Sequence, residues 1–271
     1  MRVVHSEGLE GAAAARGLVV VVDVLRAFTV SACALGEGAR ECRLVAEVEE
    51  ALGLQAQIPG ALVSAEVDGF PVEGVPISNS PSQVLVAGVG GRTLVQRSSD
   101  GTRGVVAAWA NADAVLAAGL VVATATAGHI LRLGPPLVTL VAMGTPRGHL
   151  EDRACTAVLA ALLAGEAPPD LEQLLEPVRS GDRYRRVMAG GWPGFPAGGS
   201  GPLSPPRPLR LCNAGEPRRA GAAAAGSPQL TESSIDFRPH GRDTASTART
   251  PSLSAAAAAA AAGGSNSRLG A

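Results

Sequence analysis

The segment VVVVDVLRAFTVSACAL, Val19 to Leu35, sets an aspartate and an arginine where an all-valine run ends. With Leu18 the run reads as a strand, Leu18 to Val22. It does not alternate with polar residues, which implies burial on both faces, as in a parallel sheet covered by helices. Thr29 to Leu35 has a helical pattern that ends at Gly36 and Gly38. Such a strand, turn and helix is the unit from which open α/β sheets are built. In those sheets ligands bind outside the carboxyl ends of the strands. Asp23 lies at such an end. Arg26 and Thr29 lie at or near the start of the following helix, where unsatisfied N–H groups and the dipole favour an anion. Arg26 can hold two oxygens of a phosphate or carboxylate through its planar fork. Asp23 beside it would repel an anion, unless a cation bridges them or the aspartate itself attacks phosphorus. Mg²⁺-assisted phosphate chemistry resolves that conflict. A structural Asp–Arg pair capping the helix is the alternative.

Working outward, further strands are expected at Arg43–Val45, Ala61–Ala65, Arg92–Gln96, Leu120–Ala123 and Leu137–Met143. Helices are expected at Val48–Leu54, Arg103–Ala110, Asp152–Ala164 and from Asp170 onward, with Gly165 closing the third of these. Ser80-Pro81-Ser82-Gln83 opens another helix: Ser80 as cap, Pro81 in the first helical position, Gln83 completing a capping box. The alternating order predicts a three-layer α/β/α fold with a mostly parallel sheet. Asp23-Val-Leu-Arg26 and Asp100-Gly-Thr-Arg103 each follow a strand and precede an Ala- and Val-rich helix. Leu44-Val45 and Val121-Val122 then follow at the same spacing, which suggests duplicated β-turn-α units.

The chain has 271 residues, a formal charge of −1, 46% hydrophobic residues and 3% aromatics, so its core must be Val, Leu and Ala. The near-zero charge gives no reason to expect nucleic acid or an anionic membrane as partner. The sequence contains no lysine, which excludes Schiff-base chemistry and a P-loop lysine. Its four cysteines, Cys33, Cys42, Cys155 and Cys212, form no CxxC pair, so a cytoplasmic location without a disulfide framework is expected. No apolar run is long enough to span a membrane. Two regimes are visible: residues 1–190 read as the folded domain, and residues 191–271 as a low-complexity, disordered tail rich in Gly, Pro and Ala. Homo-oligomerisation is compatible with this composition but not specified by it.

Other segments carry groups able to do chemistry. RSSDGTRG, Arg97 to Gly104, offers hydroxyls, Gly101 and Arg103 in the manner of a phosphate cradle, although it lacks the GK[ST] element of a P-loop. An ordinary polar turn would look the same. Asn79 and the amides after Ser80 could face a ligand. Glu66 follows an apolar run, and its oxygens suit a hard cation. Glu151 and Asp152 suit a helix N-terminus for dipole reasons, or a metal. His149 is a candidate general acid and equally an exposed loop histidine.

Four of these segments, in order, resemble one family. VVVDVLRAFTV is similar to the DxLRAxT-type segment of the 2-phosphosulfolactate phosphatases, the ComB-like family. AEVDGFPVEGVPISNSP resembles its glutamate-to-NSP stretch, QRSSDGTRGV its T-x-N-G-T stretch, and AMGTPRGHLEDRAC its AGT…ED-x-x-C stretch. The likeness runs from about Leu18 to Leu163. It implies a Mg²⁺-dependent α/β phosphatase whose substrate is 2-phospho-3-sulfolactate, on a route to coenzyme M. Carried over, Asp23 and Arg26 become catalytic. Thr29, Asn79, Ser80, Gly101, Thr102 and Arg103 bind the phosphorylated hydroxy acid. Asp23, Glu66 and Asp152 hold Mg²⁺. Asp100 stands where the family has asparagine, and the chain beyond Gly190 does not resemble the family's C-terminal segment. Those departures keep open a non-catalytic binder of anionic metabolites.

Overall fold

Leu18 to Val22 forms a strand buried at all five positions. The computed structural model of the chain describes residues 1–144, 149–182, 184, 185 and the backbone of 252–254. The strands are β1 (Arg2–Glu7), β2 (Leu18–Val22), β3 (Glu41–Val45), β4 (Leu62–Val67), β5 (Phe70–Pro71), β6 (Thr93–Arg97), β7 (Ala114–Ala118), β8 (Leu137–Ala142) and β9 (Ser252–Ser254). The helices are α1 (Gly8–Ala14), α2 (Ala27–Gly36), α3 (Val48–Gln57), α4 (Pro81–Val86), α5 (Gly101–Trp109), α6 (Ala123–Leu133), α7 (Leu150–Ala164) and α8 (Leu171–Arg179).

The strands form two sheets. The first has the order β1-β8-β2-β7 and is wholly parallel, with Val20 opposite both Leu116 and Leu140. The second has the order β5-β4-β6-β3-β9: β4, β6 and β3 are parallel, and β5 and β9 are antiparallel edges. β2 explains the layering. Val19 and Val21 face one way, into a core with Phe28 and Val30 of α2, Val105 and Ala108 of α5, and Leu44 and Leu94 of the second sheet. Leu18, Val20 and Val22 face the other way, against Ile130 of α6 and Cys155 and Leu159 of α7. Val63 and Val95 of the second sheet meet Ala51 of α3. Each sheet is therefore the middle of an α/β/α sandwich, and α2 and α5 lie between the two sheets. Burial of each β2 valine contributes roughly 1.5–3 kcal/mol, so the valine run anchors both cores at once.

The α/β class, the layering and the mostly parallel strands agree with the sequence reading. Residues Leu120 to Ala123 do not form the expected strand. The strand is Ala114–Ala118, and Leu120–Val122 is a single 3-10 turn leading into α6. Tertiary burial between β2 and solvent-covering helices makes a strand of an alanine-rich run that by propensity favours helix. The equal spacing to Val121-Val122 therefore fails as a sign of duplication, although both D-x-x-R turns do follow a strand and open a helix. β1, α1 and most of α6 are additional to the expected elements. Within the segment expected to be a disordered tail, Ser252–Ser254 pairs antiparallel with β3; the remainder of that segment, with Cys212, lies outside the described residues. Among the described residues no helix is long and apolar enough to cross a membrane.

Candidate active site

Asp23 is the first residue beyond β2, and its carboxylate meets two helix N-termini. Its Oδ1 accepts the Ala27 N–H of α2 at 3.1 Å, and the Gly101 N–H of α5 also bonds the carboxylate. The second contact requires glycine: a Cβ on residue 101 would lie 2.6 Å from Asp23 Oδ2 and 2.8 Å from the Ala27 Cβ. The two D-x-x-R turns, one from each sheet, thus converge on one carboxylate. The Asp23 carboxyl is pushed up from 3.8 to about 7, chiefly by burial, with the nearby charges of Asp100 and Glu66 adding to the rise and the two amides opposing it.

Asp152, in the first turn of α7, ties a third helix to this place. Its Oδ1 accepts the Val24 N–H at 2.7 Å and its Oδ2 the Gly144 N–H at 3.0 Å. Burial raises its carboxyl well above the usual range, and the charge of Asp23 adds to that. His149 begins α7 with its Nδ1 3.8 Å from Glu151 Oε1 and 3.9 Å from Asp152 Oδ2. It is half-buried rather than an exposed loop residue. A Cβ on residue 144 would sit 1.7 Å from the His149 Cβ, so glycine there makes room for the histidine. Thr145 to Gly148 lie outside the described residues.

Glu66 comes from the end of β4. Its Oε1 accepts the Ser99 N–H at 2.5 Å; its Oε2 accepts the Gly69 N–H at 2.6 Å and the Ser99 hydroxyl at 3.1 Å. Arg97 braces the same turn, donating to the Glu66 and Ala46 carbonyls and, at 3.3 Å, to Ser99 Oγ. Among the described residues no three His, Cys, Asp or Glu side chains are grouped as ligands of one ion. The donors beside Asp23 are nonetheless all hard carboxylate oxygens, and Mg²⁺ characteristically uses one or two of these and keeps its waters. The residues present fit that ion on those terms.

The remaining expected residues divide by what they touch. Arg26 is buried at the start of α2, and its peptide bond to Leu25 is cis. Arg103 is half-buried in the first turn of α5 and forms no ion pair with a described residue. The helix dipole disfavours a cation there. Thr29 donates to the Val24 carbonyl at 2.7 Å. Thr102 and Ser98 exchange hydrogen bonds, with Thr102 Oγ1 accepting the Ser98 N–H at 2.8 Å and Ser98 Oγ accepting the Thr102 N–H at 3.0 Å. These two threonines shape the turns. Ser80 precedes Pro81 as expected, but its hydroxyl pairs with Ser82 at 3.0 Å and caps nothing. Gln83 instead accepts the Ser78 N–H at 2.7 Å, two residues before the position the capping box assumes. Asn79 has φ +52°, a left-handed conformation that asparagine tolerates. Sequence reasoning passed over Gln96, whose signal was a glutamine inside the apolar run TLVQR.

The fold and this site define a mostly parallel α/β protein with buried acids, arginines and three helix N-termini gathered at strand ends. The chain belongs to the 2-phosphosulpholactate phosphatase family, whose model matches residues 4–177. Relatives named probable 2-phosphosulfolactate phosphatase include one from Carboxydothermus hydrogenoformans, 35% identical over 153 residues, covering 56% of this chain and 63% of the relative. Another, from Deinococcus radiodurans, is 34% identical over 145 residues, 53% of this chain and 60% of the relative. One from Bacillus subtilis is 29% identical over 147 residues, 54% and 64%. The chain thus spans somewhat under two thirds of the length of these curated relatives.

Proposed function

We propose that the chain is a phosphomonoesterase acting on a small phosphorylated 2-hydroxy acid, with 2-phospho-3-sulfolactate as substrate. In the overall reaction an oxygen from water bonds to phosphorus, the bond between phosphorus and the C2 oxygen breaks, that oxygen takes up a proton from the water, and sulfolactate and inorganic phosphate leave. The observation that carries this reading is the convergence on Asp23: a buried carboxylate that takes the first amides of two helices and loses its proton near pH 7. A carboxylate titrating there is suited to accept a proton or to attack at physiological pH. Arg26 and Arg103 each lie at the start of one of the two helices whose first amides meet Asp23, and their planar forks are suited to hold phosphoryl or acid oxygens. The amide-bearing ends of α2 and α5 add N–H groups for charge that builds on the transferring oxygens. Asp23 acts either as nucleophile, giving an aspartyl-phosphate, or by orienting the attacking water. Rapid-quench labelling separates these, since only the first leaves phosphate on Asp23.

Mg²⁺ belongs to the proposal as the ion that offsets the carboxylates. Asp23, with Glu66 or Asp152, would hold it, and it would supply positive charge to the phosphoryl oxygens. The test is phosphate release from 2-phospho-3-sulfolactate with added Mg²⁺ and with EDTA. Release that stops in EDTA supports the reading; equal release in EDTA removes the metal from it. Ligand-induced thermal stabilisation without any release would instead favour a non-catalytic binder, a reading that rests on the extra negative charge of Asp100 beside Asp23.

A further inference from the structure

Gln96 lies near the end of β6, is fully buried, and joins three separate parts of the chain. Its Nε2 donates to the Ala27 carbonyl at 2.7 Å and to Asn79 Oδ1 at 3.2 Å, and its Oε1 accepts the Ser31 hydroxyl at 2.5 Å. A backbone carbonyl can only accept, so the Gln96 atom beside Ala27 must be the nitrogen. The second hydrogen of that nitrogen then requires an acceptor, which fixes the Asn79 carboxamide with its oxygen inward. Its amide nitrogen must face the other way. That nitrogen donates to no described residue and is not sealed from solvent. The Asn79 main chain is held as well, its N–H donating to the buried Ser64 hydroxyl at 3.2 Å. Ala27, whose carbonyl starts this chain of constraints, gives its own N–H to Asp23.

We propose that Gln96 is a positioning residue: it fixes the Asn79 amide so that its NH₂ donates to a tetrahedral oxyanion bound beside Asp23. The claim deepens the phosphatase reading but needs only anion binding, not turnover. A glutamine at this place sets the direction of a donor two motifs away without touching the ligand. An acceptor-only group in its place would turn the Asn79 amide round and present its oxygen to the anion.

Two probes separate the anion's source: inorganic phosphate for the transferred group, and methanesulfonate for the substrate's acid end. Binding of each is measured by titration of ¹⁵N-labelled protein, following the Asn79 side-chain NH₂ resonances, together with the melting temperature. In the wild type those resonances shift on adding one of the two anions, and the one that moves them names the group bound. Gln96→Glu weakens that anion roughly ten- to a hundredfold, the worth of a hydrogen bond to a charged group, and leaves the other anion's affinity within about twofold. Gln96→Met guards against misfolding from a buried charge: it removes the constraint without reversing it, and the same anion weakens by a smaller factor. In turnover the loss falls on KM if the sulfonate is bound and on kcat if the phosphoryl group is. If neither anion moves the wild-type Asn79 resonances, or if a folded Gln96→Met variant binds both as the wild type does, the proposal is overturned. Absence of phosphatase activity with these shifts intact would sink the enzymatic reading alone.

Discussion

Asp23 is costly to keep where it is. A carboxylate that ionises near 7 in the fold but near 3.8 in the unfolded chain holds its proton in the native state between those values. At this group native protein then binds more protons than unfolded protein, so its contribution to stability falls as pH rises from about 4 to about 7 and changes no further above. Thermal melts across that range test the sign, and Asp23→Asn removes this part of the slope. Asp100→Asn takes away one of the two charges that raise the Asp23 carboxyl. The acid limb of kcat/KM, set by Asp23, moves to lower pH in that variant; an unmoved limb would detach Asp23 from the profile. Gly101→Ala places a methyl 2.6 Å from Asp23 Oδ2. A displaced reacting group of that kind costs about a hundredfold in kcat, read against a melting curve that shows the protein folded. Arg26→Ala loses far more activity than Arg185→Ala, because Arg26 is buried at the start of α2 whereas Arg185 is exposed, paired with Asp182 at 2.5 Å beyond α8.

At the scale of elements, what could be seen in the sequence was what local pattern decides. The unbroken valines of β2 predict two-sided burial because no helix face or half-exposed strand needs such a run. Gly165 ends α7 with φ +73°, as a glycine after a helical stretch should. β7 was invisible because Ala-Val-Leu-Ala-Ala takes its conformation from β2 alongside it, not from its own preference. β1 hides for a different reason: it is an edge strand of mixed exposure, without clean alternation. The site divides in the same way. Asp23, Arg26 and the second D-x-x-R turn stood out as charges at strand ends. Asp152 could be read as a helix-start acid or a metal ligand, but its tie to the end of β2 could not, because its bond to the Val24 N–H closes a separation of 128 residues. Core and site are separable at this scale. Leu159 of α7 is fully buried against β2, so Leu159→Ala lowers stability by about 2–5 kcal/mol while KM at a temperature where the variant is folded stays unchanged.

Across the whole molecule, the two sheets matter because each supplies one of the turns that meet at Asp23. β2 ends in Asp23 and β6 ends in the Ser98–Gly101 turn, while α2 and α5, packed between the sheets, carry the amides that hold the carboxylate. A single-sheet reading of the sequence could place either turn at a strand end but not bring the two together. The family model covers β1 through most of α8, which includes every site residue discussed. The measurement that bears most directly on the central claim is steady-state phosphate release from 2-phospho-3-sulfolactate by Asp23→Asn, at a pH above 7 with Mg²⁺, beside a melt of the same sample. The carboxylate-centred account predicts a folded protein with activity reduced by at least about a thousandfold. A folded Asp23→Asn variant that turns over like the wild type would contradict it.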